Sequence, residues 1–160
     1  MEHNNSTIRR QDRLLEKTAC MQLLAQGEYG ILSMVKETGE AYGIPISYAW
    51  DGDRAIYLHC APEGEKLRCI AHNKNVSFCV IGNTQVIPPK FTTAYESVVL
   101  ACTAHADLDT PERMHALELI LKKYTPNHLE LGLTYAEKSF HRTAIIKLDI
   151  LRISGKCKRP

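Results

Sequence analysis

Two short apolar runs flank Asp51-Gly52-Asp53 in the stretch Tyr42 to Lys66, YGIPISYAWDGDRAIYLHCAPEGEK, and a Gly-Glu-Lys helix start follows them. In the first run Tyr42, Ile44, Ile46, Tyr48 and Trp50 alternate with Gly43, Pro45, Ser47 and Ala49. This is the two-residue period of a β-strand with one bulky and one nearly bare face; a helical period would scatter the bulky residues around the axis. The bare face admits a flat ligand or the close approach of another backbone, and the residues alone do not choose between them. The Asp-Gly-Asp turn and the alternating run Ala55 to Cys60 complete a hairpin. A three-residue loop pairs Ile46 with Leu58 and Pro45 with His59, gathering Ile56 and Leu58 with Ile44, Ile46 and Tyr48 in one apolar layer. Tyr57 and His59 then share the bare face.

The rest of the chain supplies more strands than helices. Leu14, Leu15, Ala19, Leu23 and Leu24 recur at helical spacing, with a helix end expected near Gln26 and Gly27 as its stop. Gly30 to Val35 reads as a strand turned by Glu37-Thr-Gly-Glu40 into the opening stretch, and Val76 to Ile81, Tyr95 to Ala106 and Thr143 to Ile153 read as further strands, six in all. Thr110 as N-cap, Pro111 in the first turn and Glu112 open a helix with Met114, Leu117, Ile120, Leu121 and Tyr124 on one side, ended by Pro126. Asn127 to Phe140 is helical or irregular, and Pro88-Pro89 marks a long loop. Short strands at near-even spacing with few helices predict a mainly β fold, an antiparallel β-barrel with peripheral helices. A length of 160 residues suits one domain over 1–160, with residues 1–11 a flexible polar N-terminus.

Charge and cysteine usage narrow the function classes. The formal net charge is +2 with acidic and basic residues interleaved, so no stripe for nucleic acid is present. The six cysteines, at 20, 60, 69, 79, 102 and 157, stand singly and mostly within apolar runs, the pattern of reduced thiols in a cytoplasmic protein. No segment approaches the ~18 consecutive apolar residues of a membrane span, and the polar start carries no export-type run, so neither membrane nor secretion is expected.

Several residues are candidates for chemistry. Gly64 opens a helix whose free N–H groups and Lys66 together suit an anion such as a phosphate, although Lys66 on a solvated helix face is the plainer reading. His59, at the strand end beside that helix start, has a side chain that titrates near neutral pH and can donate to an anion or pass a proton. Tyr95, Glu96 and Ser97 begin a strand after the proline-rich segment, where they reach a ligand on the barrel rim or serve as ordinary edge residues. Arg142, before the last strand, suits a phosphate or a carboxylate of a neighbouring subunit. His59, Cys60, Cys69 and His72 include a Cys-x-x-His pair, but His59 and Cys60 point to opposite faces of one strand, which disfavours zinc. Neither a Gly-x-Ser-x-Gly elbow, a Walker loop nor a dinucleotide fingerprint occurs.

Tyr29-Gly30-Ile-Leu-Ser, Pro45-Ile-Ser-Tyr, Ile56-Tyr-Leu-His-Cys-Ala-x-x-Gly-x-Lys66, Val76-Ser-Phe, Tyr95-Glu-Ser-Val and Gly155-Lys156 together resemble the 5-nitroimidazole-resistance branch of the pyridoxamine 5′-phosphate oxidase-like flavoproteins. The resemblance implies a split β-barrel of the FMN-binding type that forms a homodimer and holds FMN, in some members FAD, in clefts between subunits. It places Pro45, Ile46, Ser47 and Tyr48 beside the isoalloxazine, with main-chain groups on its polar edge. Tyr57, His59 and Lys66 fall along the ribityl phosphate, and Tyr95, Glu96 and Ser97 near the ring or the dimer seam. His59 matches the family's active-site histidine. The Arg-rich substrate site of a true pyridoxamine phosphate oxidase has no counterpart here. The implied activity is a flavin-dependent oxidoreductase passing electrons to a small electrophile such as a nitroaromatic; the alternatives are a flavin-binding or ligand-sensing module without turnover, and a zinc module.

Overall fold

The computed structural model describes residues 1–160. Its elements, in chain order, are β1 (Glu2–His3), α1 (Lys17–Gln26), β2 (Tyr29–Val35), β3 (Ala41–Ser47), β4 (Ala49–Trp50), β5 (Ala55–Cys60), α2 (Glu65–His72), β6 (Asn75–Ile87), β7 (Thr92–His105), α3 (Thr110–Tyr124), α4 (Leu129–Ser139) and β8 (Ala144–Lys158). The sheet runs β3-β2-β6-β7-β8-β5-β4, with β1 parallel to β8. No helix is long and apolar enough to cross a membrane.

The two ends of that strand order, β3 and β4, are consecutive in the chain and separated only by Tyr48. One extended segment therefore pairs with β2 as far as Ser47 and with β5 from Ala49 onward. The sheet closes on itself through a single residue, and beyond it β3 and β5 part. Ala49 pairs with Tyr57 and Trp50 with Ile56 around a four-residue connection, Asp51 to Arg54. The expected pairing of Ile46 with Leu58 and Pro45 with His59 does not occur. β2 has already taken the β3 edge, and the turn is wider because the Asp51 carboxylate accepts the N–H groups of Asp53 and Ala55 while Gly52 adopts φ +87°. The ladder is displaced by two residues, so every side chain keeps its face. Tyr48, Ile56 and Leu58 are buried together in the core, with Ile44 and Ile46 packed against them.

The barrel interior holds Leu32, Phe78, Val80, Leu100, Ile146 and Leu148, and α1 closes one end with Cys20, Leu23 and Leu24. α3 and α4 cover the outer side of β5 and the first half of β8, burying Ala55, Tyr57, Ala116, Leu117, Ala136 and Ile145 in a second cluster. The outer face of β3-β2-β6-β7-β8 is left uncovered. Successive rows across it read Pro45, Ile31, Cys79, Val99, Ser154 and then Gly43, Ser33, Ser77, Ala101, Arg152, so much of it is small or apolar.

Other differences from the sequence reading have local causes. Residues 88–90 form a tight 3-10 turn joining β6 and β7, where a long loop was expected, because the two strands stay paired out to Ile87 and Thr92. Asp109 caps α3 by accepting the Glu112 N–H, which places Thr110 inside the helix. Gly27 follows α1 with φ −60°, so it is needed for space: a Cβ there would lie 2.5 Å from Val80 and 2.7 Å from the Tyr48 hydroxyl. The N-terminal segment, expected to be flexible, lies along β8, where β1 pairs with Arg152 and Ile153 and the Asn5 side chain accepts the Gly155 N–H.

Candidate functional site

The split beside Tyr48 leaves one edge of β3 without a neighbour. Lys36 N–H donates to Glu40 O at the hairpin end, so counting along the ladder makes Gly30/Ile46 a mutually bonded pair and Ile31/Pro45 and Tyr29/Ser47 non-bonded ones. Gly43, Pro45 and Ser47 consequently turn their main-chain groups away from β2, toward the free edge. Pro45, which has no N–H, stands where none is missed. Gly43, Pro45 and Ser47 are exposed, while Ile46 packs inward.

Tyr48 itself is sequestered. Its ring is wholly buried, edge-on to Phe78 at 5.1 Å, and its hydroxyl donates to Leu24 O at 2.6 Å. Burial pushes this phenol well above its ordinary pKa. Its N–H and C=O both meet the hydroxyl of Tyr124 at 2.9 Å. Tyr48 therefore has neither side chain nor main chain to offer a ligand, and it leaves the expected set because closing the barrel consumes all its polar groups.

Across the split, β5 ends in His59 and Cys60. Continuing the Ala49–Tyr57 pairing would set Ser47 against His59, and that is where the ladder stops. The His59 ring is exposed, yet the protein around it removes enough water to lower its pKa. The Cys60 thiol is raised by burial, with the nearby Lys66 charge pulling the other way. α2 begins four residues after Cys60 at Gly64, φ +149°, with nothing within 4 Å of a Cβ position and no side chain capping the first turn. Its leading N–H groups and Lys66 are thus available to an anion. Arg142 is exposed just before β8, whose Ala144 pairs with Cys60, so it shares this rim.

The structure brings Pro45, Ser47, His59, Lys66 and Arg142 to the region of the split. Tyr57 stands apart: it is 4% exposed beneath α3, donates to Glu112 at 3.1 Å, and is covered by a helix that the strand alternation does not foretell. Tyr95, Glu96 and Ser97 lie at the other end of the sheet. Their β8 partners are Lys158, Cys157 and Lys156, whereas His59 pairs with Ile145, roughly 35 Å back along the strand. Ser97 does share an outer-face row with Ile81, level with Tyr29 and its partner Ser47. Tyr29, Gly82 and Glu96 line a cavity of about 290 Å³ there, and Glu96 stands 3.7 Å from Arg159. No three His, Cys, Asp or Glu side chains converge as a metal site would require, and Cys69 is buried in the core.

The sequence reading missed Lys123 and Tyr124. Tyr124 lies on the apolar side of a helix pattern, and nothing local signals a contact 76 residues away with Tyr48. Lys123 donates to Gly27 O at 2.6 Å and lies 3.7 Å from the centre of the Tyr48 ring. Burial lowers its pKa from 10.5 to about 8, opposed only in part by Glu28. Between those values the unfolded chain holds a proton that the folded chain has released, so stability rises as pH increases from 8 toward 10.5. Lys123→Met abolishes that rise. Urea unfolding at pH 7.5 and pH 10 should show the wild-type protein gaining about 1–2 kcal/mol relative to the variant, after allowance for solvent screening.

Comparison with known proteins accords with this architecture. A family model for pyridoxamine 5′-phosphate oxidase matches residues 16–157. The chain belongs to the pyridoxamine 5′-phosphate oxidase family. Solved structures with the same fold include a candidate 5-nitroimidazole antibiotic resistance protein from Bacteroides thetaiotaomicron, at TM-score 0.77 and 20% identity, over 91% of this chain and 86% of that one. An FAD-binding protein from Mesorhizobium loti aligns at TM-score 0.63 and 22% identity, over 92% and 98% of the two chains. The FAD and heme binding protein from Mycobacterium smegmatis aligns at TM-score 0.75 and 18% identity, over 92% and 74%. A search of curated proteins finds no match. Within the family's split barrel, the site described above combines an unpaired main-chain edge with an uncapped helix start and the cations Lys66 and Arg142.

Proposed function

We propose that this family member binds a flavin, FMN or FAD, as a homodimer and works as an oxidoreductase on a small electrophile such as a nitroaromatic. The observation that carries the reading is the split at Tyr48, which exposes the β3 edge opposite His59 and the α2 start. Membership of the pyridoxamine 5′-phosphate oxidase family and the printed descriptions of the FAD-binding neighbours support it.

A bound flavin supplies the electron transfer; the chain supplies binding, orientation and proton control. Ser47 N–H and C=O and Pro45 C=O would hold the polar edge of the ring, which needs both donors and acceptors. Lys66 and the first N–H groups of α2 would hold the phosphate, with Arg142 as a further cation on the rim. His59, its pKa lowered by desolvation, is neutral at pH 7 and so can either donate or accept a proton at a ring nitrogen. The uncovered sheet face, with Tyr29 59%, Ile81 55% and Val99 45% exposed, is the surface on which a second copy would pack. That packing would carry one protomer's Tyr95–Ser97 toward the other's split, joining the two groups that a single chain keeps apart.

The test is the absorbance spectrum of the purified protein with extraction and identification of its cofactor, light scattering for mass, and anaerobic mixing with NADH or NADPH followed by a nitroaromatic. A yellow dimer that is bleached by the nucleotide and recovers colour on adding the nitro compound is expected. A yellow protein inert to both would be a flavin-binding module without turnover. A colourless protein with no rise in melting temperature on adding FMN or FAD would overturn the reading.

A further inference from the structure

The Tyr124 hydroxyl occupies a place in the β2–β3 ladder that a backbone group would ordinarily fill. The alternation that makes Gly30/Ile46 a bonded pair makes Glu28/Tyr48 the next one, with Tyr48 N–H expected to donate to Glu28 O. Instead Tyr48 N–H donates to Tyr124 Oη at 2.9 Å, and that hydroxyl bonds onward to the carbonyl of Glu28, its single proton shared with Tyr48 O. A side-chain oxygen from α3 is thus inserted between two strands. Tyr48 is wholly buried, and with the hydroxyl set between the strands its N–H bonds to Tyr124 in place of Glu28 O.

The peptide unit gives this a consequence for the site. Tyr48 N–H and Ser47 C=O belong to one planar trans peptide and point in opposite directions. Holding the N–H on Tyr124 therefore aims the Ser47 carbonyl at the free edge of β3. Three further contacts hold the Tyr48 side chain in place: Lys123 on Gly27 O and over the Tyr48 ring, the Tyr48 hydroxyl on Leu24 O, and the closeness of Gly27 to that hydroxyl. We propose that Tyr124 is a positioning residue that inserts its hydroxyl into the ladder and thereby fixes the Ser47 carbonyl toward the bound ring, a role that rests on the flavin reading for its ligand but not for its geometry.

The test is Tyr124→Phe, with two readouts. In the absence of added ligand, hydrogen exchange of the Tyr48 amide should quicken at least tenfold while the amides of Phe78 and Leu100 keep their rates. Affinity for riboflavin and for FMN should fall by the same factor, about tenfold, for the loss of one hydrogen bond at the ring. Lys66→Ala, by contrast, should weaken FMN and leave riboflavin unchanged. Lys123→Met, which spares the Tyr124 hydroxyl and its three partners, should leave Tyr48 exchange within a factor of three. Unchanged Tyr48 exchange in Tyr124→Phe overturns the insertion; faster exchange with unaltered riboflavin affinity overturns the positioning role. A wild-type protein that binds no flavin overturns the positioning role too, and the exchange readout still decides the insertion. Should Tyr124→Phe fail to fold, the wild-type protein decides: a Tyr48 amide held by this insertion should exchange within about tenfold of the Phe78 and Leu100 amides, and exchange about a hundredfold faster than theirs counts against the proposal.

Discussion

Phe78→Ala is expected to lower the unfolding free energy by about 3–5 kcal/mol, the range for truncating a fully buried aromatic residue. The ring is 0% exposed and packs edge-on against Tyr48 at an interplanar angle of 75°. It also fills the space above Gly30, where a Cβ would come within 2.4 Å of it. β6 sets Phe78 between Leu32 of β2 and Leu100 of β7, so its removal opens a cavity at the centre of the barrel and not at an edge able to collapse. In urea the midpoint should fall with little change in slope. A loss below about 1.5 kcal/mol would mean that the barrel interior relaxes around the gap. Because Phe78 supports the ring of Tyr48, this change also loosens the split from below, and ligand affinity should drop with stability.

Lys66→Glu is expected to lower FMN affinity by about a hundredfold, since it removes an attractive charge and installs a repulsive one beside the phosphate. The Lys66 ammonium makes no ion pair or hydrogen bond within the chain, and its neighbour Glu65 is engaged with Arg68 at 2.6 Å. The apo protein should accordingly keep its melting temperature within a degree or two, as for an ordinary surface substitution. Added salt should weaken FMN binding to the wild-type protein and narrow the gap between the two. Fluorescence titration with FMN and with riboflavin measures both parts. Equal loss for the two ligands would place Lys66 away from the phosphate.

Much of the strand content was legible because alternation is a local property. Gly30 to Val35, Ala55 to Cys60 and the segment from Tyr42 were recognisable from side-chain period alone, and the face assignment survived a wrong loop length because the displacement was two residues. The helix start at Gly64 was equally readable from glycine and lysine after a strand end. Less legible were lengths: β6 and β7 run past the apolar core as a paired arm, whose polar residues carry no alternation to mark it.

For the candidate site, the sequence determined chemistry and the tertiary structure determined company. Local period marked the bare face that carries Pro45 and Ser47, and residue type singled out His59 and Lys66, while it was the family resemblance that set Pro45 and Ser47 beside a ring. They did not show that Tyr48 would be spent on closing the barrel, that α3 would bury Tyr57, or that Ser97 would lie far from His59 yet in line with Ser47. Those outcomes depend on which strand edges meet and which helix covers which face. A strand that changes partners at one residue leaves no trace in its own alternation, because both partners demand the same period. Only the closed sheet, with the Tyr124 hydroxyl set into its ladder, reveals where the edge is free.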